Sequence, residues 1–202
     1  DPSSIGHGLG VTPEFLMVKG RSTSGAETWA CWHKDLTDNT YKMSLDNAFA
    51  QAAGDVYWSN DDHTSTLVSL GSNSSVNKSG GTYVCYTWAG VEGFSKFGAY
   101  EGNGANDNAF VNLGFRPAFI IIKSLDSTAG WLMFDNKREG YNVDNDALLA
   151  DTTAAETTTD MIDMLSNGFK VRDTTLPGVA ETYVYCAWAE FPFGGSGVSQ
   201  AR

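Results

Sequence analysis

The residues best suited to chemistry lie in one short polar cluster, which contains Trp58, Asn60, Asp61, Asp62 and His63. An aromatic ring can pack on the C–H face of a sugar, and amide and carboxylate oxygens can accept hydrogen bonds from its hydroxyl groups. The same oxygens could ligate Ca²⁺, although calcium loops usually alternate their oxygen ligands over a longer pattern that includes glycine. The cluster therefore predicts either a glycan-binding patch or an ordinary turn.

A second polar loop, GNGANDN, lies near the middle of the chain and supplies Asn103, Asn106, Asp107 and Asn108. It follows an aromatic-rich stretch, so the segment that begins at Phe94 predicts a strand and then a loop with strong turn chemistry. The amide and carboxylate groups of this loop could bind a ligand in the same way as the first cluster.

No catalytic centre is predicted. Glycan hydrolysis needs two carboxylates that face each other across a groove, whereas Glu101, Glu181 and Glu190 form no such pair and are expected to be solvated edge residues. The three histidines lack the spacing of a zinc site, and the chain contains no GxSxG elbow or phosphate-binding loop. We expect no catalytic residue, no metal site and no cofactor, and hence a protein that is not an enzyme.

An internal repeat sets the organisation that must position these loops. The segment LGVTPEFLMVK (9–19) recurs as LGFRPAFIIIK (113–123), and TYVCYTWA (82–89) recurs as TYVYCAWA (182–189). Two shorter blocks, at Trp29 and at Leu45, recur in the same order. Ordered self-similarity of this kind is typical of duplicated structural units. The sequence predicts two domains, residues 1–93 and 94–202.

The repeated blocks read as strands. Pro13 and Pro117 each open an apolar run, a position that proline tolerates at the start of a strand. Alternation along the TYVCYTWA block places Tyr83 and Cys85 on one face and Tyr86 and Trp88 on the other. We predict an all-β protein of two tandem, diverged β-sandwich repeats, jelly-roll or lectin-like, with short helices only at 47–53 and 158–165.

The repeat also separates structural from functional aromatics. A residue that is matched in both copies serves the shared fold, whereas an unmatched aromatic in a polar loop needs another explanation. Trp29, Trp88, Trp131 and Trp188 are matched and Trp32 aligns with Phe134, so all five tryptophans are expected in the core. Trp58 has no counterpart. Binding residues are therefore expected on the loops peculiar to one copy.

The first copy is expected to be incomplete. The strand that begins near Phe94 opens the second copy, and its counterpart in the first copy would lie before Asp1. A chain that starts at Asp rather than Met is also expected to be part of something longer. The gap predicts an unpaired sheet edge that a preceding domain or another subunit would close.

Composition excludes several classes of partner. The net charge of −11 and the lack of a Lys/Arg run argue against nucleic acid and anionic lipid. The apolar runs, such as the one at 118–122, are too short to span a bilayer, so no membrane insertion is expected. Cys31, Cys85 and Cys186 lie in separate strand-like runs and are expected to be buried thiols without a disulfide, which favours folding in a reducing cytosol.

The phrases GHGLGVTPEFLMVKGRS, NKSGGTYVCYTWAGVEGFSKFGAYEGNG, FVNLGFRPAFIIIKSLDS, SNGFKVR and TYVYCAWAEFPF occur in this order. Together they resemble the duplicated C-terminal module of tail-fibre-type proteins from phages of marine bacteria, including cyanophages. The resemblance covers nearly the whole chain. One departure is FPF at 191–193, where such modules often have Asn-Pro before the last Phe.

The resemblance implies a virion fibre protein that is assembled in the bacterial host cytoplasm, usually as a homotrimer with other fibre subunits. It supplies no catalytic residues. The leading hypothesis is a non-enzymatic domain for receptor binding and host attachment, with a host cell-surface glycan as ligand. A structural decoration or spacer module of the phage tail or capsid, and a glycan depolymerase, are the alternatives.

Overall fold

The strands of this protein form four antiparallel sheets, described in a computed structural model for residues 3–22, 27–59, 61–138, 142 and 146–192. The chain divides into unit 1, Asp1–Ala89, and unit 2, Gly90–Arg202. Nearly all regular structure in the described residues is β, as the sequence predicts. No helix in these ranges is long and apolar enough to cross a membrane.

Unit 1 contains a five-stranded and a two-stranded sheet. Its elements are β1 (Ser3–Gly6), β2 (Phe15–Gly20), β3 (Ala30–His33), β4 (Tyr41–Ser44), β5 (Ala52–Ala53), α1 (Asp55–Trp58), β6 (Leu67–Leu70), α2 (Ser74–Asn77) and β7 (Tyr83–Trp88). The larger sheet has the order β5-β4-β3-β2-β7, and β1 pairs with β6. Leu16, Val18, Trp32, Trp58 and Val68 are buried in its core.

Unit 2 contains a five-stranded and a three-stranded sheet. Its elements are β8 (Ser95–Glu101), β9 (Phe110–Asn112), β10 (Pro117–Ser124), β11 (Leu132–Asp135), β12 (Leu148–Leu149), β13 (Ile162–Leu165), β14 (Gly168–Val171) and β15 (Thr182–Ala189). The sheets have the orders β12-β11-β10-β15-β8 and β13-β14-β9. Ile120, Ile122, Phe134, Phe169 and Tyr185 belong to the buried cluster between these strands.

The repeated sequence blocks occupy equivalent strands in the two units. β2 and β10 carry the proline-led block, β7 and β15 carry the TYV block, and each pair lies side by side in its sheet. The register is also shared, because Phe15 lies opposite Trp88 and Phe119 lies opposite Trp188. Strand assignment from these blocks is thus confirmed, and Pro117 is the first residue of β10.

Both predicted helices are wrong. Segment 47–53 ends in strand β5, and segment 158–165 ends in strand β13. In β13, Ile162 and Met164 are buried while Asp163 and Leu165 are less so, which is the period of two of a strand. The helices present among the described residues are the four-residue turns α1 and α2.

The cysteines are free thiols: Cys31 and Cys186 are buried and Cys85 is half-buried. Burial raises the pKa of Cys85 to about 11 and raises that of Cys31 further. Cys31 and Cys85 therefore remain protonated and unreactive near neutral pH.

Candidate functional site

The cluster around Trp58 is part of the core of unit 1. Helix α1 directs Trp58 inward, where the residue is 0% exposed, and His63 is also buried. The imidazole of His63 meets the rings of Trp32 and Trp58 edge-on, at centroid distances of 4.5 and 5.8 Å. The backbone N–H of Ser69 donates to Nδ1 of His63 at 3.2 Å. The prediction that Trp58 and His63 contact a ligand is therefore wrong, because neither side chain reaches solvent.

The acidic residues beside them do remain at the surface. Asp61 accepts a hydrogen bond from the hydroxyl of Ser59 at 3.4 Å, and Asp62 accepts one from Nδ2 of Asn39 at 2.9 Å. Asn60 lies outside the described residues. Across the described ranges, no group of three or more His, Cys, Asp or Glu side chains is arranged to hold a metal ion.

The second predicted loop is organised by Asn108, which is buried. Its Nδ2 donates to the carbonyl of Gly178 at 2.7 Å, and its Oδ1 accepts from the backbone N–H groups of Asn103 and Ala109 at 3.1 and 2.8 Å. These bonds occupy the amide, so the prediction that Asn108 contacts a ligand is wrong. Its role is to hold the loop.

The rest of that loop is exposed, including Asn103, Asn106 and Asp107. Lys170 donates to the carboxylate of Asp107 at 2.6 Å, and this bond lowers the pKa of Asp107. Asn103 is used locally, since its Oδ1 accepts from the backbone N–H of Ala105 at 2.9 Å. The exposed face of the loop thus offers mainly Asn106 to a ligand.

Glu181 and Glu190 each have partners of their own. Glu181 accepts hydrogen bonds from the hydroxyls of Ser124 and Ser127 at 2.8 and 2.7 Å. Glu190 forms ion pairs with Arg116 at 3.0 Å and Lys137 at 3.4 Å. The expectation that Glu181 and Glu190 are solvated edge residues is wrong, because both are partly buried and partnered, whereas Glu101 is exposed.

A different group of aromatic residues forms a partly exposed row in unit 1. Four nearly parallel rings follow one another in the order Phe15, Trp88, Tyr86 and Trp29, with interplanar angles of 25°, 22° and 20°. The successive centroid distances are 5.4, 6.0 and 6.5 Å. We call these four residues the aromatic row.

The strands β2 and β7 fix the aromatic row. Tyr86 and Trp88 are two residues apart in β7 and share a face, and Phe15 lies opposite Trp88 in β2. Trp29 immediately precedes β3. The row crosses strands on the sheet face opposite to Cys85, as the alternation of the TYVCYTWA block predicts.

The row is closed at one end and open near the other. Phe15 is buried, Trp88 and Trp29 are half-buried, and Tyr86 is 46% exposed. Beyond Trp29, Nζ of Lys19 lies 5.7 Å from the centroid of the Trp29 ring and donates to the carbonyl of Glu27. The open part of the row is therefore a strip of aromatic surface with a phenol hydroxyl in it and a cation at one end.

The equivalent row in unit 2 lacks the exposed tyrosine. Phe119 and Trp188 repeat the first pair at 5.7 Å and 27°, but the position of Tyr86 is taken by the buried Cys186. Phe97 of β8 packs edge-on against Trp188 at 5.6 Å, and Trp131 is buried. Core placement is thus confirmed for Trp32 and Trp131, whereas Trp29, Trp88 and Trp188 are only half-buried.

Sequence reasoning missed the aromatic row for an identifiable reason. Trp29 and Trp88 have matched counterparts and were therefore expected in the core. The useful signal was the exchange of order between Cys85-Tyr86 and Tyr185-Cys186, which places the aromatic residue on opposite sheet faces in the two copies.

The chain is an all-β protein, and residues 1–192 match the family described as "Domain of unknown function (DUF7483)". It therefore belongs to the DUF7483 family. No curated protein and no solved structure matches the chain.

Proposed function

We propose that this protein is a non-enzymatic recognition domain of a virion fibre and that it binds a host cell-surface glycan at the aromatic row. The observation that carries the proposal is the half-exposed Tyr86 within a row of aromatic rings in unit 1, where unit 2 has the buried Cys186. A difference between two copies of a shared sheet is where a function peculiar to one copy is expected.

The chemistry of the row suits a carbohydrate. Aromatic surface packs favourably against the C–H groups of a sugar, and a phenol hydroxyl can both donate and accept hydrogen bonds. Nucleic-acid bases also pack on aromatic side chains, but the net charge of −11 repels their phosphates. A neutral or cation-bearing glycan is the ligand class that can pack on the aromatic row and is not repelled by the net negative charge of the protein.

The proposal includes a finer description of the fold. The two units are diverged copies of one β-sandwich of jelly-roll or lectin-like type. The shared order of the TYV strand and the proline-led strand supports this description, and so does the repeated pair Phe15–Trp88 and Phe119–Trp188.

The setting on a virion fibre rests on the resemblance to phage tail-fibre modules. Three free thiols are compatible with assembly in a bacterial cytoplasm. A homotrimeric fibre, with other fibre subunits as partners, belongs to the same proposal.

Attachment to bacterial cells tests the function. The full chain is labelled and its binding is measured on cells with intact surface polysaccharide and on cells stripped of it. Tyr86→Ala should reduce attachment at least about tenfold, a loss of roughly 1.4 kcal/mol of binding free energy. Phe49→Ala is the matched control, because Phe49 is an aromatic residue of unit 1 that is 66% exposed and is not part of the row.

Two results would oppose the proposal. Equal attachment to intact and stripped cells would favour a decoration or spacer role or a protein receptor. Equal losses for Tyr86→Ala and Phe49→Ala would show that the row is not the binding surface.

A further inference from the structure

The outer edge of β7 ends the large sheet of unit 1, whereas the equivalent edge in unit 2 is covered. β15, the counterpart of β7, pairs with β10 on one side and with β8 on the other. Within the described residues of unit 1, β7 pairs with β2 alone. Unit 2 therefore shows what a covered edge of this sheet looks like, including the register of the covering strand.

The backbone groups at this edge can be assigned from the ladder. The N–H of Arg21 donates to the carbonyl of Thr82, so the backbone groups of every second residue from Thr82 face β2. Those of Tyr83, Cys85 and Thr87 consequently face outward. In unit 2, the equivalent residues Tyr183 and Tyr185 face β8, as the bond from the Gly102 N–H to the Glu181 carbonyl requires.

The β7 edge lacks the charged side chains that protect exposed edges. Terminal strands usually carry Lys, Glu or Pro, which prevent pairing with other chains. β8, the terminal strand of unit 2, has Lys96 and Glu101, and both are exposed. β7 reads YVCYTW and contains no charge and no proline. Such a strand is suited to being paired.

A cavity beside this edge is shaped for the side chain of a pairing strand. Its volume is about 280 Å³, and Ile5, Val18, Leu70, Val76 and Cys85 are among its lining residues. Polar residues, including Ser3, Asn77 and Lys78, line the rest of it. The apolar part of the lining, which includes Cys85, favours an apolar side chain there.

In unit 2 the corresponding space is filled by a side chain of β15 and not by one of the covering strand β8. Tyr185 replaces Cys85, and its hydroxyl lies 2.6 Å from the position that a Cβ on Gly98 would occupy. Gly98 is the β8 residue opposite Tyr185, so a large residue on β15 requires glycine on the covering strand. In unit 1 the equivalent residue is the smaller Cys85. A covering strand would therefore need a large apolar residue at the position opposite Cys85 to fill the space.

We propose that the β7 edge is a docking site for an extended strand donated by a different polypeptide. The strand runs antiparallel to β7, as β8 does to β15, and places a large apolar side chain opposite Cys85. The side chain opposite Cys85 lies on the face of the sheet away from the aromatic row. The neighbouring side chains of the docked strand would face the row, as Phe97 of β8 faces Trp188 in unit 2.

The test uses the full chain and two capped peptides. One is FSKFGAYEG, the sequence of Phe94–Gly102, and the other is the same peptide with Gly98→Leu. The leucine peptide should bind at least about tenfold more tightly, measured by fluorescence anisotropy. The control is the leucine peptide with N-methyl groups at the positions of Lys96 and Tyr100, which keeps the side chains and should not bind.

Two further measurements complete the test. In hydrogen exchange, the leucine peptide should protect the amides of Tyr83, Cys85 and Thr87 in the unsubstituted chain. The Cys85→Tyr chain should reverse the preference and select the glycine peptide.

Three results would overturn the inference: equal affinity for the two peptides, binding of the N-methylated peptide, or no protection at the three amides. Dimerisation of the chain alone, with those amides already protected, would also overturn it, because a second copy would then be the occupant of the edge.

Discussion

Protonation of His63 is expected to destabilise unit 1 in mild acid. The imidazole is enclosed by Trp32 and Trp58, and its Nε2 has no hydrogen-bond partner. Since Nδ1 accepts from Ser69, the neutral ring carries its proton on Nε2. A charge there would be buried, and burial outweighs the attraction of the nearby Asp62 carboxylate, so the pKa of His63 is lowered from 6.5 to about 4.

The sign and size of the effect follow from this pKa. As the pH falls below 6.5, the unfolded chain binds a proton at His63 and the folded chain does not, so the stability that is present above pH 6.5 is lost progressively down to about pH 4. Each pKa unit corresponds to about 1.4 kcal/mol, which gives a total loss of roughly 3 kcal/mol.

The assay compares urea unfolding of the wild type and His63→Gln between pH 7 and pH 4. Gln cannot titrate but can still accept the hydrogen bond from Ser69, and all carboxylates contribute equally to both proteins. The stability difference between the two proteins should therefore change by roughly 3 kcal/mol in favour of the variant as the pH falls. A difference that stays within about 0.5 kcal/mol across this range would refute the reasoning.

Three further outcomes follow from the described contacts. Trp58→Ala should cost roughly 3–5 kcal/mol in urea unfolding, whereas Tyr86→Ala should cost no more than about 1 kcal/mol; similar losses would contradict the assigned burial. Asn108→Ala should cost roughly 1–3 kcal/mol because it leaves buried backbone groups unpaired, and Asn106→Ala, the exposed control, should be within about 0.5 kcal/mol in the same assay. Cys85 should react slowly with iodoacetamide at pH 8 and rapidly after unfolding, as followed by mass spectrometry; rapid labelling of the folded chain would contradict its raised pKa.

The strands could be predicted from the sequence because each local pattern occurs twice, once in each copy of the repeat. Pro117 begins β10, and the TYV block forms β7 and β15, because the same alternation and the same proline position occur twice. The helix predicted at 158–165 failed where no repeat was available to test it. In so short a segment, the spacing of apolar residues such as Ile162 and Met164 fits the period of a helix and also that of a strand. The segment forms a strand because it pairs with β14.

The candidate site could be predicted only in part. Trp58 has no counterpart in the second copy, yet it is buried, since α1 lies where its ring can pack with His63. When a residue has no counterpart in the other copy, the two copies differ at that position. The difference does not show on which side of the sheet the residue lies. The openness of the aromatic row depends on neighbours that are distant in sequence, and the position of Phe97 against Trp188 in unit 2 illustrates this.

The central claim is that a glycan contacts the aromatic row of unit 1. The most direct measurement is the change in the indole N–H signals of the full chain in ¹H–¹⁵N spectra when purified bacterial surface polysaccharide is added. The signals of Trp29 and Trp88 should shift with saturation, and those of the buried Trp58 and Trp131 should not. Saturating shifts confined to the Asp61–Asp62 segment or to the Asn106 loop, with Trp29 and Trp88 unchanged, would contradict the account.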